Sequence, residues 1–139
     1  MKKTASVLAV MFGLLMVLNS GTATAGFWKK SKAHDVKTIT KEELSAKLAS
    51  GDSVQVVNVL KPNYYKLGVI KGSKKIPLNE LDKRIGELDK TKEVVTYCAN
   101  YKCSASRQAA KKLAKLGYNV SAYEGGAKEW KEAGLPLDA

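Results

Sequence analysis

The segment EVVTYCANYKCSASRQAAKKL, residues 93–113, decides how this chain is read. A run of β-formers ends at Cys98, and Cys103 follows five positions later. An Ala- and Lys-rich pattern of helical period then begins. The chain holds only these two cysteines. A thiol therefore stands at the junction of a strand and a helix, with a short polar loop between. Two roles are open for it: a nucleophile, or one half of a staple.

The sequence on either side alternates between the two kinds of element. VKTI (36–39) reads as a short strand. TKEELSAKLASG (40–51) reads as a helix, with Thr40 as N-cap, Glu43 as its capping-box partner, Leu44 and Leu48 on one face and Gly51 just past the end. SVQVVNVL (53–60) is a nearly continuous β-branched run, the pattern of a strand covered on both faces. KPNYYKLG (61–68) reads as a turn with a helical turn, and KKIPL (74–78) as a brief extended piece. LNELDKRIGEL (78–88) is helical, with Leu81, Ile85 and Leu88 at spacings of four and three. EVVTYC is another buried strand. SASRQAAKKLAKLGY (104–118) is a helix with Ala105, Ala109, Leu113 and Leu116 as its stripe and Gly117 as its stop. NVSAY is a strand, EGG a turn, and AKEWKEAG (127–134) a last helix. Strands separated by helices pair in parallel through right-handed crossovers. In such sheets ligands bind beyond the carboxyl ends of the strands, where Cys98 stands.

The loop after Cys98 gives the thiol its chemistry. Residues 99–104 lead into a helix whose first N–H groups have no intrahelical partner. If this loop curls over its starting cysteine, its amides converge on one point as an anion cradle. A free thiol has a pKa near 8.5, and lowering it by about 2 units takes roughly 2.7 kcal/mol. A helix N-terminus offers about 0.3–1 kcal/mol, or ~2 when partly buried, so the loop amides must supply the rest. The same donors can hold an anionic substrate or the extra sulfur of a persulfide. The alternatives are a buried apolar filler at Cys98 or a Cys98–Cys103 disulfide, which a loop this small makes worth only ~2 kcal/mol.

The N-terminus has the order of a cleavable export signal. MKK is a basic start, VLAVMFGLLMVL an apolar core too short to span a bilayer, and NSGTATA a small-residue site with cleavage expected after Ala25. Residues 26–35 read as a flexible leader, and 36–139 as the folded domain. These features place the protein in the periplasm or outside the cell, with no stable membrane association after cleavage. The net charge of +11 falls to +9 without Lys2 and Lys3. Its lysines are scattered and do not interleave with aromatics, which excludes a nucleic-acid surface and leaves a small anionic ligand compatible. His34, the one histidine, forms no metal site by itself. No cofactor is expected, and the chain reads as a monomer.

From Val36 to Asp138 the sequence resembles the rhodanese domain. The resemblance rests on TKEELSAKLASGDSVQVVNV, PNYYKLGVIKGSKKIPLNEL, EVVTYCAN and ASRQAAKKLAKLGYNVSAYEGGAKEWKEAGLP, in that order. It implies one compact α/β domain, a parallel five-stranded sheet with helices on both faces. It also implies that Cys98 is the catalytic, sulfur-carrying nucleophile, and that Ala99, Asn100, Tyr101, Lys102, Cys103 and Ser104 form the substrate-binding loop. With an export signal, the chain looks like the small single-domain rhodaneses of the phage-shock type. The loop is somewhat longer than usual, which matches Ser106 to the usual loop-ending serine. Phosphatase relatives need an arginine six positions after the cysteine, and Ser104 stands there. Asn58-Val59-Leu60 and GVIKGS (68–73) replace the common DVR and GHIPGA patterns, removing a charge pair and a histidine that usually support the loop.

The expected function is therefore sulfur transfer. Cys98 takes sulfane sulfur from a small anionic donor such as thiosulfate and passes it to a thiol or cyanide acceptor, with Lys102 and Arg107 drawing in the anion. Cys103 is a candidate resolving residue. Two alternatives stand beside this reading: a non-catalytic binding or stress-sensing module, and a Cys98/Cys103 thiol redox protein.

Overall fold

A computed structural model describes residues 36–51 and 53–138 of the chain. The expected export signal and leader, His34 among them, lie outside the described residues. Seven strands and four α-helices follow in the order β1 (Lys37–Ile39), α1 (Lys41–Ala49), β2 (Val54–Asn58), β3 (Val69–Ile70), β4 (Lys74–Lys75), α2 (Leu81–Arg84), β5 (Glu93–Tyr97), α3 (Ala105–Lys115), β6 (Val120–Tyr123), α4 (Gly126–Glu132) and β7 (Leu137–Asp138). Five strands form a parallel sheet in the order β1-β6-β5-β2-β4. The fold is the expected one, with β5 at its centre.

The two faces of the sheet carry separate cores. On one face Val57, Ile76, Val94, Val120 and Ala122 pack under α2 and α3 through Leu81, Ala109, Ala110 and Leu113. On the other, Val56, Val95, Tyr97 and Tyr123 pack under α1 and α4 through Leu44, Ala127 and Trp130. Successive side chains of a strand point to opposite faces, so the apolar runs of β2 and β5 fill both cores. Trp130 is only 2% exposed and meets the Tyr123 ring edge-on at 5.9 Å. Its indole N–H donates to the Pro136 carbonyl at 3.0 Å, which ties the last helix to the C-terminal segment. Burying such a side chain contributes on the order of 3 kcal/mol.

Local signals set the helix ends. Thr40 accepts from the Glu43 N–H at 3.2 Å, and Glu43 accepts from the Thr40 N–H at 2.8 Å, closing the expected capping box on α1. Two expectations differ from the structure, and one pairing was not expected at all. The helix read over residues 78–88 is a single turn, α2, followed by a 3-10 turn at Ile85–Glu87. Gly86 weakens the α-helical continuation there, while Leu81 and Leu88 still reach the core. Leu116, read as part of the α3 stripe, is 47% exposed. The helix ends at Lys115, and the chain turns at Gly117 with φ +83°, so Leu116 swings off the buried face. Finally, β3 and β7 pair antiparallel as a small second sheet, with Val69 opposite Asp138 and Ile70 opposite Leu137. Two-residue strands carry no period to read, so only the closing of the chain end reveals them. Among the described residues no helix is long and apolar enough to cross a membrane.

Candidate functional site

Cys98 is the first residue beyond β5, at the carboxyl end of the central parallel strand. Alternation along the strand sends Tyr97 into the α1/α4 core and Cys98 into the α2/α3 core. The Cys98 side chain is fully buried. Its sulfur is bonded to that of Cys103, with the two Cα atoms 6.3 Å apart, inside the range a disulfide spans. The structure thus places the staple, one of the two roles the sequence left open for the pair, on the residue expected to be the nucleophile.

Asn100 shapes the loop that makes this possible. Its carbonyl accepts from the Cys103 N–H at 2.9 Å, and its side-chain oxygen accepts from the Lys102 N–H at 2.9 Å. This is the Asx-turn chemistry that lets an asparagine substitute for a turn of backbone. The expected cradle pointed several amides of residues 99–104 at the sulfur. In this disulfide-bonded chain the amides of Lys102 and Cys103 face Asn100 instead: its side chain takes the first and its backbone carbonyl the second. The groups closest to the sulfur are the Cys103 carbonyl oxygen at 3.1 Å and the Ser106 hydroxyl at 3.6 Å. Ser106 sits in the first turn of α3 and is fully buried. The resemblance had singled it out as the loop-ending serine, and the structure points its hydroxyl at Cys98.

The start of α3 contrasts with that of α1. Ser104 occupies its N-cap but makes no capping hydrogen bond; its hydroxyl accepts from the Gln108 side chain at 2.8 Å. The positive end of the α3 dipole lies on the loop that begins at Cys98.

The turn read simply as EGG does more than reverse the chain. The N–H of Ala127 donates to the Cys98 carbonyl at 2.8 Å, and that of Lys128 to the Ala99 carbonyl at 2.9 Å. The first amides of α4 thus grip the first two peptides of the loop. Gly126 permits this approach. Its φ is +67°, and a Cβ there would lie 2.6 Å from the Cys98 carbonyl oxygen and 2.6 Å from the Ala99 carbonyl carbon. The sequence signal was the doubled glycine, but its partner could not be known without the fold.

A carboxylate that the sequence reading missed anchors the outer side of the loop. Glu129 accepts from the Tyr101 hydroxyl at 2.9 Å and from the Tyr123 hydroxyl at 2.7 Å. The hydrogen bond to Glu129 holds the exposed Tyr101 phenol above its ordinary pKa. Burial, with the same carboxylate adding to it, raises Tyr123 further. Tyr101, Lys102, Cys103, Ser104 and Arg107 come together around a cleft of about 100 Å³ over the disulfide, with Ser106 and Glu124. Arg107 pairs there with Glu124, so its charge is not wholly available to an anion. Ala99 and Asn100 line instead a wider cleft of about 540 Å³ edged by Lys66, Lys128 and Lys131.

On the opposite face of β5 the Tyr97 hydroxyl accepts from the Asn58 side-chain amide at 3.0 Å and from the Ile70 N–H at 2.9 Å. Ser73 donates to the Ile70 carbonyl at 2.7 Å, which leaves its oxygen, 3.0 Å away, to accept from Tyr97. Asn58 also accepts from the Leu60 N–H at 2.9 Å. An amide at position 58 thus gives and takes one hydrogen bond inside a neutral network, where a buried carboxylate would be costly. Burial holds the Tyr97 phenol above its ordinary pKa.

Known proteins resemble this chain in sequence and fold. The sequence pattern of the rhodanese-like domain matches residues 40–133. A protein from Allochromatium vinosum named sulfurtransferase is 32% identical over 105 residues, 75% of this chain and 96% of that one. The HTH-type transcriptional regulator Rv0324 of Mycobacterium tuberculosis is 34% identical over 100 residues, 72% of this chain but only 44% of the regulator. Among solved structures, the BH2092 protein of Bacillus halodurans superposes with a TM-score of 0.67 at 28% identity, over 74% of this chain and 77% of that one. By its sequence pattern, its parallel sheet and the cysteine at the end of the central strand, this chain belongs to the rhodanese-like domain family.

Proposed function

We propose that the protein is a sulfurtransferase working through Cys98. A thiol first opens the Cys98–Cys103 bond. The Cys98 thiolate then attacks the sulfane sulfur of a thiosulfate-like anion, sulfite departs, and the extra sulfur stays on Cys98 as a persulfide. A thiophilic acceptor, cyanide or a thiol, removes it. The observation that carries this reading is the position of Cys98: at the carboxyl end of the central strand, under a loop that runs straight into the N-terminus of α3. In the reduced chain the α3 dipole and the Ser106 hydroxyl both favour the thiolate over the thiol. Lys102 at the cleft and the positive net charge favour an anionic donor. The A. vinosum relative named sulfurtransferase, covered almost end to end, supports the same activity.

Intact-mass spectrometry tests the reading. The reduced full chain, given excess thiosulfate, gains one sulfur, about 32 Da, on Cys98, and a thiol reductant removes it. Cys98→Ser gains nothing. A reduced wild-type chain that keeps its mass throughout, and forms no thiocyanate with cyanide present, rules the activity out.

A further inference from the structure

We propose that Cys103 turns this site into a dithiol-dependent reductase of sulfane sulfur, which releases hydrosulfide inside each turnover and does not wait for an external acceptor. The proposal rests on the Cys98 persulfide step above and adds a second step within the same chain.

Three observations carry it. The folded domain already joins the two sulfurs, so Cys103 reaches Cys98 without any opening of the core. The two cysteines are differently placed: Cys98 is fully buried, whereas Cys103 is half-buried and lines the cleft above it. Of the two sulfurs, a thiol that enters this cleft meets that of Cys103 first. Finally, the loop is built to hold Cys103 there. Asn100 takes the Cys103 N–H on its carbonyl and the Lys102 N–H on its side chain, while α4 grips Cys98 and Ala99 from behind. Holding attacker and target in one geometry makes the reaction effectively unimolecular, and an external thiol must compete with it from dilute solution.

The chemistry balances. Thiolate Cys98 attacks the outer sulfur of thiosulfate; the sulfur–sulfur bond of the donor breaks, and its electron pair leaves with sulfite. Cys98 now carries a persulfide. The Cys103 sulfur then attacks Sγ of Cys98. The Cys98–Cys103 bond forms, the bond to the extra sulfur breaks, and that sulfur leaves with the electron pair and the Cys103 proton as hydrosulfide. The sulfane sulfur has been reduced by two electrons, and the two cysteine thiols have been oxidised to the disulfide. A dithiol reductant resets the pair by exchange, being oxidised to its own disulfide. The disulfide-bonded chain is then the resting product of each turnover.

A single-turnover experiment decides this. The full chain is reduced with dithiothreitol, freed of it without air, and mixed with thiosulfate; sulfite, sulfide and intact mass are followed together. The expected result is one sulfite and one sulfide per chain, with the protein ending about 2 Da lighter than its reduced form, as disulfide formation requires. Under the same conditions Cys103→Ser gives sulfite but no sulfide and holds the extra ~32 Da. If wild type also holds that mass and gives no sulfide until thiol is added, the resolving step is overturned while the persulfide stands. If neither protein gives sulfite, the sulfurtransferase reading falls and this proposal with it.

Discussion

Tyr97 and Cys98 are neighbours in the chain and opposites in how the fold holds them. The Tyr97 hydroxyl sits among Asn58, Ile70 and Ser73, giving one hydrogen bond and taking two. Every polar atom there is neutral and satisfied, so the network has no reason to change state. Cys98, one residue on and pointing to the other face, has few polar neighbours and is held by a covalent bond that thiol exchange can open. One face of the strand end is wired permanently; the other is wired reversibly. A reactive sulfur needs the first to make the second safe, because opening the Cys98 bond leaves the strand end anchored from behind.

The contrast can be broken from either side. The largest effect falls on chemistry: Cys98→Ala abolishes sulfur loading completely while the circular dichroism of the folded chain persists, since alanine is a tolerable filler in that core. Next comes Gly126→Ala. The added carbon collides with the Cys98–Ala99 peptide at a backbone conformation alanine resists, at a cost of about 3 kcal/mol. Urea midpoints measure that loss, and sulfur loading should fall with it as α4 releases the loop. Tyr97→Phe strands the Asn58 amide and the Ile70 N–H in a buried site, which costs about 2 kcal/mol. Here stability falls but the loaded mass on reduced Cys98 does not change, and a loss of loading would show that the two faces are not separable. Reducing the disulfide in wild type lowers stability by ~2 kcal/mol at most, as expected for so short a loop.

The smallest effect tests a control region far from both. The hydrogen bonds from Arg84 to Glu87 and from Thr91 to Asp89 hold these two carboxyls below the usual carboxylate range. A depressed pKa means the charged form is favoured in the folded chain. That contribution is whole above the ordinary carboxylate pKa and disappears as pH falls through the folded values. Glu87→Gln should therefore shrink the loss of stability between neutral and acid pH and leave sulfur loading at neutral pH as it was.

Much of this was legible in the sequence because it depends on local spacing. The capping box at Thr40 and Glu43, the β-branched runs of β2 and β5, and the helical stripe of α3 each announce themselves within one element. The order of those elements, strand then helix, dictates a parallel sheet and puts Cys98 at the carboxyl end of its strands. Gly126, Glu129 and Asn58 were not legible, because each acts on a residue brought to it only by folding; Asn100 acts on its near neighbours Lys102 and Cys103, through a loop shape that has no period to read. The doubled glycine said that backbone would come close to something; it could not say that the something was the Cys98 carbonyl.

By itself, then, the chain order determined the fold class and the placing of Cys98 at the end of a buried strand, since periodicity and covalent connectivity are local quantities. Only the tertiary structure decided that Cys98 is bonded to Cys103, that Ser106 and α4 close around it, and that an amide serves at position 58. The α4 and position-58 outcomes depend on distances between segments far apart in the chain, set by how the two cores pack on one sheet, and the Cys98–Cys103 bond on how the short loop between them folds.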